Sequence, residues 1–127
     1  MPETILCVDD QPSNRALIAR LLKKHGYEVH QAATARSAID SASRSGISLI
    51  LLDIHLPETN GFELLKLLKD DAVTGKIPVI VMSSTAVPEI ARKTSVEMGA
   101  ADFIAFPTDD ETVMTVIRKV LEDRPEA

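Results

Sequence analysis

The sequence has one cysteine, Cys7, and no apolar run long enough to cross a bilayer as a helix. One thiol cannot form an internal disulfide, which favours a reducing compartment. Because Cys7 lies in an apolar strand pattern, we expect it to be a packed core thiol. The N-terminus has neither the basic segment nor the long apolar segment of a secretory signal. These absences predict a cytoplasmic protein that does not contact membranes.

Positive charge is also scarce, since 14 Lys and Arg face 19 Asp and Glu and give a net charge of −5. An acidic chain is repelled by a phosphate backbone, so we expect no nucleic-acid partner. The length of 127 residues and the hydrophobic content of 45% fit one soluble globular domain. No repeat, composition break or low-complexity segment divides the chain.

Five short apolar runs alternate with five helix-type patterns. Near-continuous apolar strands that alternate with helices indicate a parallel sheet covered on both faces, in a doubly wound α/β arrangement. Thr108 and Glu111 match a capping box and predict the start of the last helix. The runs predicted to be strands are residues 5–8, 27–32, 49–52, 77–82 and 103–106.

Polar residues follow these predicted strands. Asp9 and Asp10 follow the first strand, Asp53 follows the third, and Ser83 follows the fourth. In a doubly wound sheet the carboxyl ends of the strands share one edge, so these side chains should converge. Three neighbouring carboxylates repel one another and need a cation or a bound proton. Because their ligand atoms are hard oxygens, Mg²⁺ is the expected ion.

The three histidines do not show metal-binding spacing. We expect His25 at a helix end and His30 on a strand surface. His55 lies beside the proposed site. We interpret it as a solvated loop residue, the alternative being contact with a partner or with phosphate.

Four segments together resemble the receiver domain of two-component response regulators, over about residues 4–123. The resemblance implies a flavodoxin-like (βα)5 fold with a five-stranded parallel sheet in the order 2-1-3-4-5. Because no effector domain fits in 127 residues, we expect a single receiver domain over residues 1–127, which is either a stand-alone regulator or part of a longer chain. The segments are VDD at 8–10, LLDIHLPETNGFE at 51–63, IPVIVMSS at 77–84 and GAADFIAFP at 99–107.

By this resemblance, Asp53 is the phosphoacceptor, which takes a phosphoryl group from a phosphohistidine on a histidine kinase or phosphotransfer protein. Asp10 would bind Mg²⁺ directly and Asp9 through a bound water, while Asp53 and the backbone carbonyl of His55 would complete the protein ligands. The ion would neutralise charge on the transferring phosphoryl group.

Ser83 aligns with the switch hydroxyl of the family, although Ser84 and Thr85 are neighbours that could take this position. Phe103 aligns with the aromatic residue whose rotamer reports phosphorylation. An ordinary core aromatic would explain Phe103 equally well.

One position departs from the family. Receivers carry a lysine before a proline that follows the last strand, whereas this chain has Phe106 before Pro107. The Phe106–Pro107 bond can be cis at modest cost. Three basic residues could supply the missing charge: Arg15, Arg92 and Lys93.

The resemblance implies a signalling switch rather than an enzyme, one that assists its own phosphotransfer and autodephosphorylation. The first helix near Asn14 and Arg15 would meet the phosphodonor. The face formed by the fourth helix, fifth strand and fifth helix (α4-β5-α5) would bind an output protein.

Three alternatives differ in chemistry. A pseudo-receiver would act as a phosphorylation-independent interaction module, and Phe106 favours this alternative. An aspartyl-phosphate hydrolase would need a second acid two residues after Asp53, where His55 lies. A flavin carrier would need a Ser/Thr/Gly-rich loop after the first strand, where the chain reads DDQPSNR.

Overall fold

The computed structural model describes residues 3–44, 46–56, 60–84 and 87–124. Five strands and five α-helices alternate along these residues, with one short 3-10 turn at Thr74–Lys76. The strands are β1 (Thr4–Val8), β2 (Glu28–Ala32), β3 (Leu49–Asp53), β4 (Val79–Ser84) and β5 (Asp102–Phe106). The helices are α1 (Pro12–Lys24), α2 (Ala35–Arg44), α3 (Gly61–Asp70), α4 (Pro88–Glu97) and α5 (Asp110–Asp123).

All five strands are parallel and lie in the order β2-β1-β3-β4-β5. This arrangement confirms the predicted flavodoxin-like sheet. Strand order reverses between β1 and β3, where Val8 pairs with Leu52. The residues that follow Val8 and Leu52 therefore lie side by side at the carboxyl edge.

The two faces of the sheet form separate core layers, because successive side chains of a strand point to opposite faces. Leu6 and Leu52 pack in the layer beneath α2 and α3. Ile5 and Leu51 pack in the layer beneath α1 and α5. Cys7 belongs to this second layer and is fully buried, which confirms the prediction of a packed core thiol.

The structure corrects the predicted start of the last helix. Its N-cap is Asp109, whose carboxylate accepts a hydrogen bond from the Thr112 N–H at 2.7 Å. Thr108 lies one residue before the cap, so the predicted capping box is wrong. Asp109 has the extended backbone that a cap requires, and its charge also suits the positive end of the helix dipole.

The predicted bounds of the fourth strand are also wrong, because β4 includes Ser83 and Ser84 and begins at Val79. Ile77 instead donates its N–H to the Thr74 carbonyl within the 3-10 turn, at 3.0 Å. Pro78 has no N–H to contribute to a ladder. Ser83, whose hydroxyl we expected after the strand, therefore belongs to the strand itself.

Among the described helices, none has the length and apolar character needed to cross a membrane. Thr85, named above as a neighbour of Ser83, lies outside the described residues.

Candidate functional site

Three carboxylates converge at the carboxyl edge of the sheet. Asp9 and Asp10 follow β1 and Asp53 ends β3, and one carboxylate oxygen from each lies within 4.8 Å of the others. Asp9 is buried and the other two are partly buried. The topology thus brings together the three acidic residues that the sequence placed after different strands.

Backbone N–H groups hold two of these carboxylates in place. The N–H of Gln11 donates to Asp9 Oδ1 at 2.9 Å, and the N–H of His55 donates to Asp53 Oδ1 at 2.9 Å. Within the described part of the chain, no further hydrogen bond reaches either carboxylate. Among the described residues, the second oxygen of Asp53 therefore has no hydrogen-bond partner.

Burial raises the pKa of the Asp53 carboxyl above its ordinary value, and the nearby charges of Asp9 and Asp10 raise it further. The hydrogen bond from the His55 N–H opposes this rise. Because its carboxylates are partly buried and repel one another, this cluster favours a bound cation or proton over three uncompensated negative charges.

Ser83 lies beside this cluster on β4, where its neighbour Met82 pairs with Asp53. A hydrogen bond of 2.8 Å joins Ser83 Oγ and His55 Nε2. His55 is exposed and lies outside the strands, which agrees with its interpretation as a solvated loop residue, and its ring also bonds to Ser83. After β3, His55 forms an isolated antiparallel bridge with Asn60.

A cavity of about 480 Å³ opens from the acidic cluster along α1 and α5. Its lining changes from acidic residues to apolar ones, which include Leu17, Phe106 and Val113. Phe106 is half-buried and packs with the core layer beneath α1 and α5. The Phe106–Pro107 peptide bond is cis. An apolar ring thus occupies the region where the family has a lysine.

Of the three basic residues named from the sequence, Arg15 is the one that bonds to a residue of the acidic cluster. Its guanidinium donates to the backbone carbonyl oxygen of Asp9 at 2.7 Å, not to a carboxylate. Arg92 pairs with Asp102 at 2.7 Å and lies over the Phe103 ring, 5.6 Å from its centroid. Lys93 lies on α4 and, across the described residues, forms no hydrogen bond or ion pair with the acidic cluster.

Phe103 is 1% exposed and packs in the core layer beneath α2 and α3. Its ring therefore lies away from the cavity that Phe106 lines. The contact with Arg92 links it to α4, the helix that precedes β5 in the chain.

Comparisons with known proteins agree with this geometry. The family model described as the response regulator receiver domain matches residues 5–118. Protein PilH of Pseudomonas aeruginosa is 34% identical over 117 residues, which cover 92% of this chain and 96% of that protein. Sporulation initiation phosphotransferase F of Bacillus subtilis is 34% identical over 121 residues, with 95% of each chain covered.

A solved structure gives the same result for the fold. The CheY-like receiver domain protein of Methanospirillum hungatei superimposes with a TM-score of 0.88 and is 27% identical, over 98% of this chain and 97% of that one.

Proposed function

This chain belongs to the response regulator receiver family of two-component signalling, and we propose that it accepts a phosphoryl group on Asp53. The observation that carries the proposal is the convergence of three carboxylates within 4.8 Å, with the Ser83 hydroxyl on the adjacent strand. Receiver domains are signalling switches, and the three carboxylates and the Ser83 hydroxyl are the parts of this site that support such a role.

In the proposed reaction the phosphoryl group comes from a phosphohistidine of a histidine kinase or phosphotransfer protein. Asp53 Oδ1 is occupied by the His55 N–H, so Oδ2 is the attacking atom. A bond forms between Oδ2 and phosphorus as the bond from phosphorus to the histidine nitrogen breaks, and the electron pair leaves with the histidine. Water later attacks phosphorus, the bond from phosphorus to Oδ2 breaks, and the carboxylate is restored as inorganic phosphate leaves.

The donor set fits Mg²⁺, because one carboxylate oxygen from each of Asp9, Asp10 and Asp53 lies within 4.8 Å of the others, with Asp9 proposed to act through a bound water. The backbone carbonyl of His55 is the proposed fourth protein ligand. When bound, the ion neutralises charge on the transferring phosphoryl group. Ser83 would donate its hydroxyl to a phosphoryl oxygen, and Phe103 would report the change to the surrounding core.

We also propose how the switch meets other proteins. Asn14 lines the cavity from α1, and it would contact the phosphodonor together with Arg15. The α4-β5-α5 face would bind an output protein, and exposed Ile90 on α4 supports this. We place the protein in the cytoplasm and treat residues 1–127 as one receiver domain. Its relative sporulation initiation phosphotransferase F is, by its name, a phosphotransferase.

Incubation with Mg²⁺ and acetyl phosphate tests the proposal. We expect the wild-type chain to gain one phosphoryl group by intact mass, mapped to Asp53 after borohydride reduction of the acyl phosphate. Asp53→Asn should abolish the gain. Asp40→Asn, on the exposed surface of α2, should leave it unchanged. Absence of labelling under conditions that label an ordinary receiver would contradict the proposal.

The second candidate is a pseudo-receiver that binds partners without phosphorylation, and Phe106 is the observation that favours it. A Mg²⁺ titration separates the two functions. A phosphoacceptor should bind Mg²⁺ in a manner that depends on Asp10 and Asp53, whereas a pseudo-receiver should show little such binding.

A further inference from the structure

The hydrogen bond between Ser83 and His55 lies beside the proposed phosphoacceptor. Ser83 is only 3% exposed, so its hydroxyl bonds to protein neighbours. Those neighbours are His55 Nε2 at 2.8 Å and the carbonyl oxygen of Ser84 at 3.3 Å. A hydroxyl has one hydrogen and two lone pairs, so it donates to one acceptor at a time.

A phosphoryl group on Asp53 changes which partner takes that hydrogen. Once a phosphoryl oxygen accepts the Ser83 O–H, His55 can stay bonded only by donating its Nε2–H to Ser83 Oγ. Neutral imidazole has a tautomer with this hydrogen, so no change of charge is needed. Accepting a hydrogen bond makes a hydroxyl a stronger donor, because bonds in a chain polarise one another.

Other side chains of the site do not provide this support. Phe106 has no polar side-chain atom, and Arg15 is engaged with the Asp9 carbonyl and, more weakly, with Gln31. Arg20 and Lys24 line the same cavity from α1. Over the residues that the structure describes, neither forms a hydrogen bond with Asp53 or Ser83.

We infer that His55 is a positioning residue, which orients the Ser83 hydroxyl toward a phosphoryl group on Asp53 and thereby compensates for the missing lysine. The inference rests on the proposed phosphoacceptor function. It assigns to His55 a role that acts through Ser83, and it predicts that the importance of His55 depends on the residue at position 106.

Two amide substitutions separate this role from a general structural one. His55→Gln places an amide nitrogen as many bonds from the backbone as Nε2, whereas His55→Asn places one where Nδ1 lies. We expect His55→Asn and His55→Ala to slow Asp53 phosphorylation by acetyl phosphate and Mg²⁺ by about three- to tenfold, the range of one neutral hydrogen bond. His55→Gln should stay within about twofold of wild type on the same scale.

Two further variants, Ser83→Ala and Phe106→Lys, test whether the effect of His55→Ala depends on these two positions. In Ser83→Ala, His55→Ala should cause no additional loss. In Phe106→Lys, which restores the lysine, the loss caused by His55→Ala should fall below about twofold, within one weak hydrogen bond. His25→Ala is the matched control, because that ring bonds to the Leu21 carbonyl at the end of α1, and its rate should equal that of wild type.

The possible outcomes separate the role of His55 from the proposed phosphoacceptor function of Asp53. Equal losses in His55→Gln and His55→Ala, or an undiminished effect of His55→Ala without Ser83, would overturn the inference while leaving Asp53 as the phosphoacceptor. Absence of labelling in the wild-type chain would overturn the proposed function, and the inference with it.

Discussion

The backbone N–H of Gly61 donates a hydrogen bond to the carbonyl oxygen of Ile54, 3.0 Å away, and brings the start of α3 against the end of β3. A Cβ on Gly61 would contact the Ile54 backbone, with the carbonyl carbon and oxygen each at 2.8 Å. Gly61 is thus required by close approach of two backbone segments beside Asp53.

Gly61→Ala should therefore destabilise the fold by about 2 kcal/mol or more, since an added methyl here must displace backbone. Urea denaturation measures the change. Gly46→Ala is the control, because a Cβ at Gly46 meets nothing within 4 Å, and it should change stability by less than about 0.5 kcal/mol. Equal effects of the two substitutions would refute the close-contact explanation.

Asp53→Asn should stabilise the protein by about 1 kcal/mol at pH 7 in EDTA, a usual size for a single-site change. The substitution removes a partly buried charge but keeps an oxygen for the His55 N–H. Added Mg²⁺ should reverse the order, because an ion that binds the folded wild type stabilises it by mass action. Asp40→Asn should show neither effect.

This stabilisation should depend on pH with a defined sign. A pKa raised in the folded state means that the folded chain binds the Asp53 proton more tightly than the unfolded chain does. The ionised carboxylate therefore destabilises the fold above its folded-state pKa, and the cost disappears below the ordinary value of about 4. The stability advantage of Asp53→Asn should shrink from pH 7 to pH 4, as measured by urea midpoints across that range. An advantage that stays constant would contradict this explanation.

Cys7 should not react with thiol reagents in the folded protein. Burial raises the pKa of the Cys7 thiol to about 12, and the side chain is fully buried, so both thiolate and access are lacking. At pH 8, labelling by a disulfide reagent should follow global unfolding and accelerate with urea. Rapid labelling without denaturant would show that β1 is accessible in the native state.

Arg124 and Glu3 form a two-pronged ion pair that joins the end of α5 to the residue before β1, with one N–O distance of 2.9 Å. A double-mutant cycle with Glu3→Gln and Arg124→Gln should give a coupling of about 0.5–1 kcal/mol that weakens in high salt. The exposed pair Lys66–Asp70, at 3.6 Å, should give almost none. Equal coupling in both pairs would contradict this difference.

Much of the fold could be predicted because it depends on local patterns. Alternating apolar runs and helix patterns restrict the sheet to a few parallel topologies, and those topologies carry Asp9 and Asp53 to one edge. Element ends were less predictable. Thr108 and Asp109 are adjacent residues that both suit a cap, and backbone conformation selected Asp109.

The contact between His55 and Ser83 could not be predicted, because it joins residues 28 positions apart on a turn and a strand end. Neither residue type indicates such a pair, and a histidine in a loop is usually solvated. Similarly, the absence of lysine at Phe106 is visible in the sequence, while the apolar cavity beside it is a property of packing.

The sequence by itself determined the alternation of strands and helices, the buried Cys7 and the convergence of three aspartates, because hydrophobic periodicity and strand ends are encoded locally. The sheet order followed from the resemblance to receiver domains. Only the tertiary structure decided how Asp53 is held, which group bonds Ser83, and why Gly61 must lack a side chain. These depend on distances of a few ångströms between elements that are distant in the chain. Such distances are set by how the whole core packs, which no local pattern records.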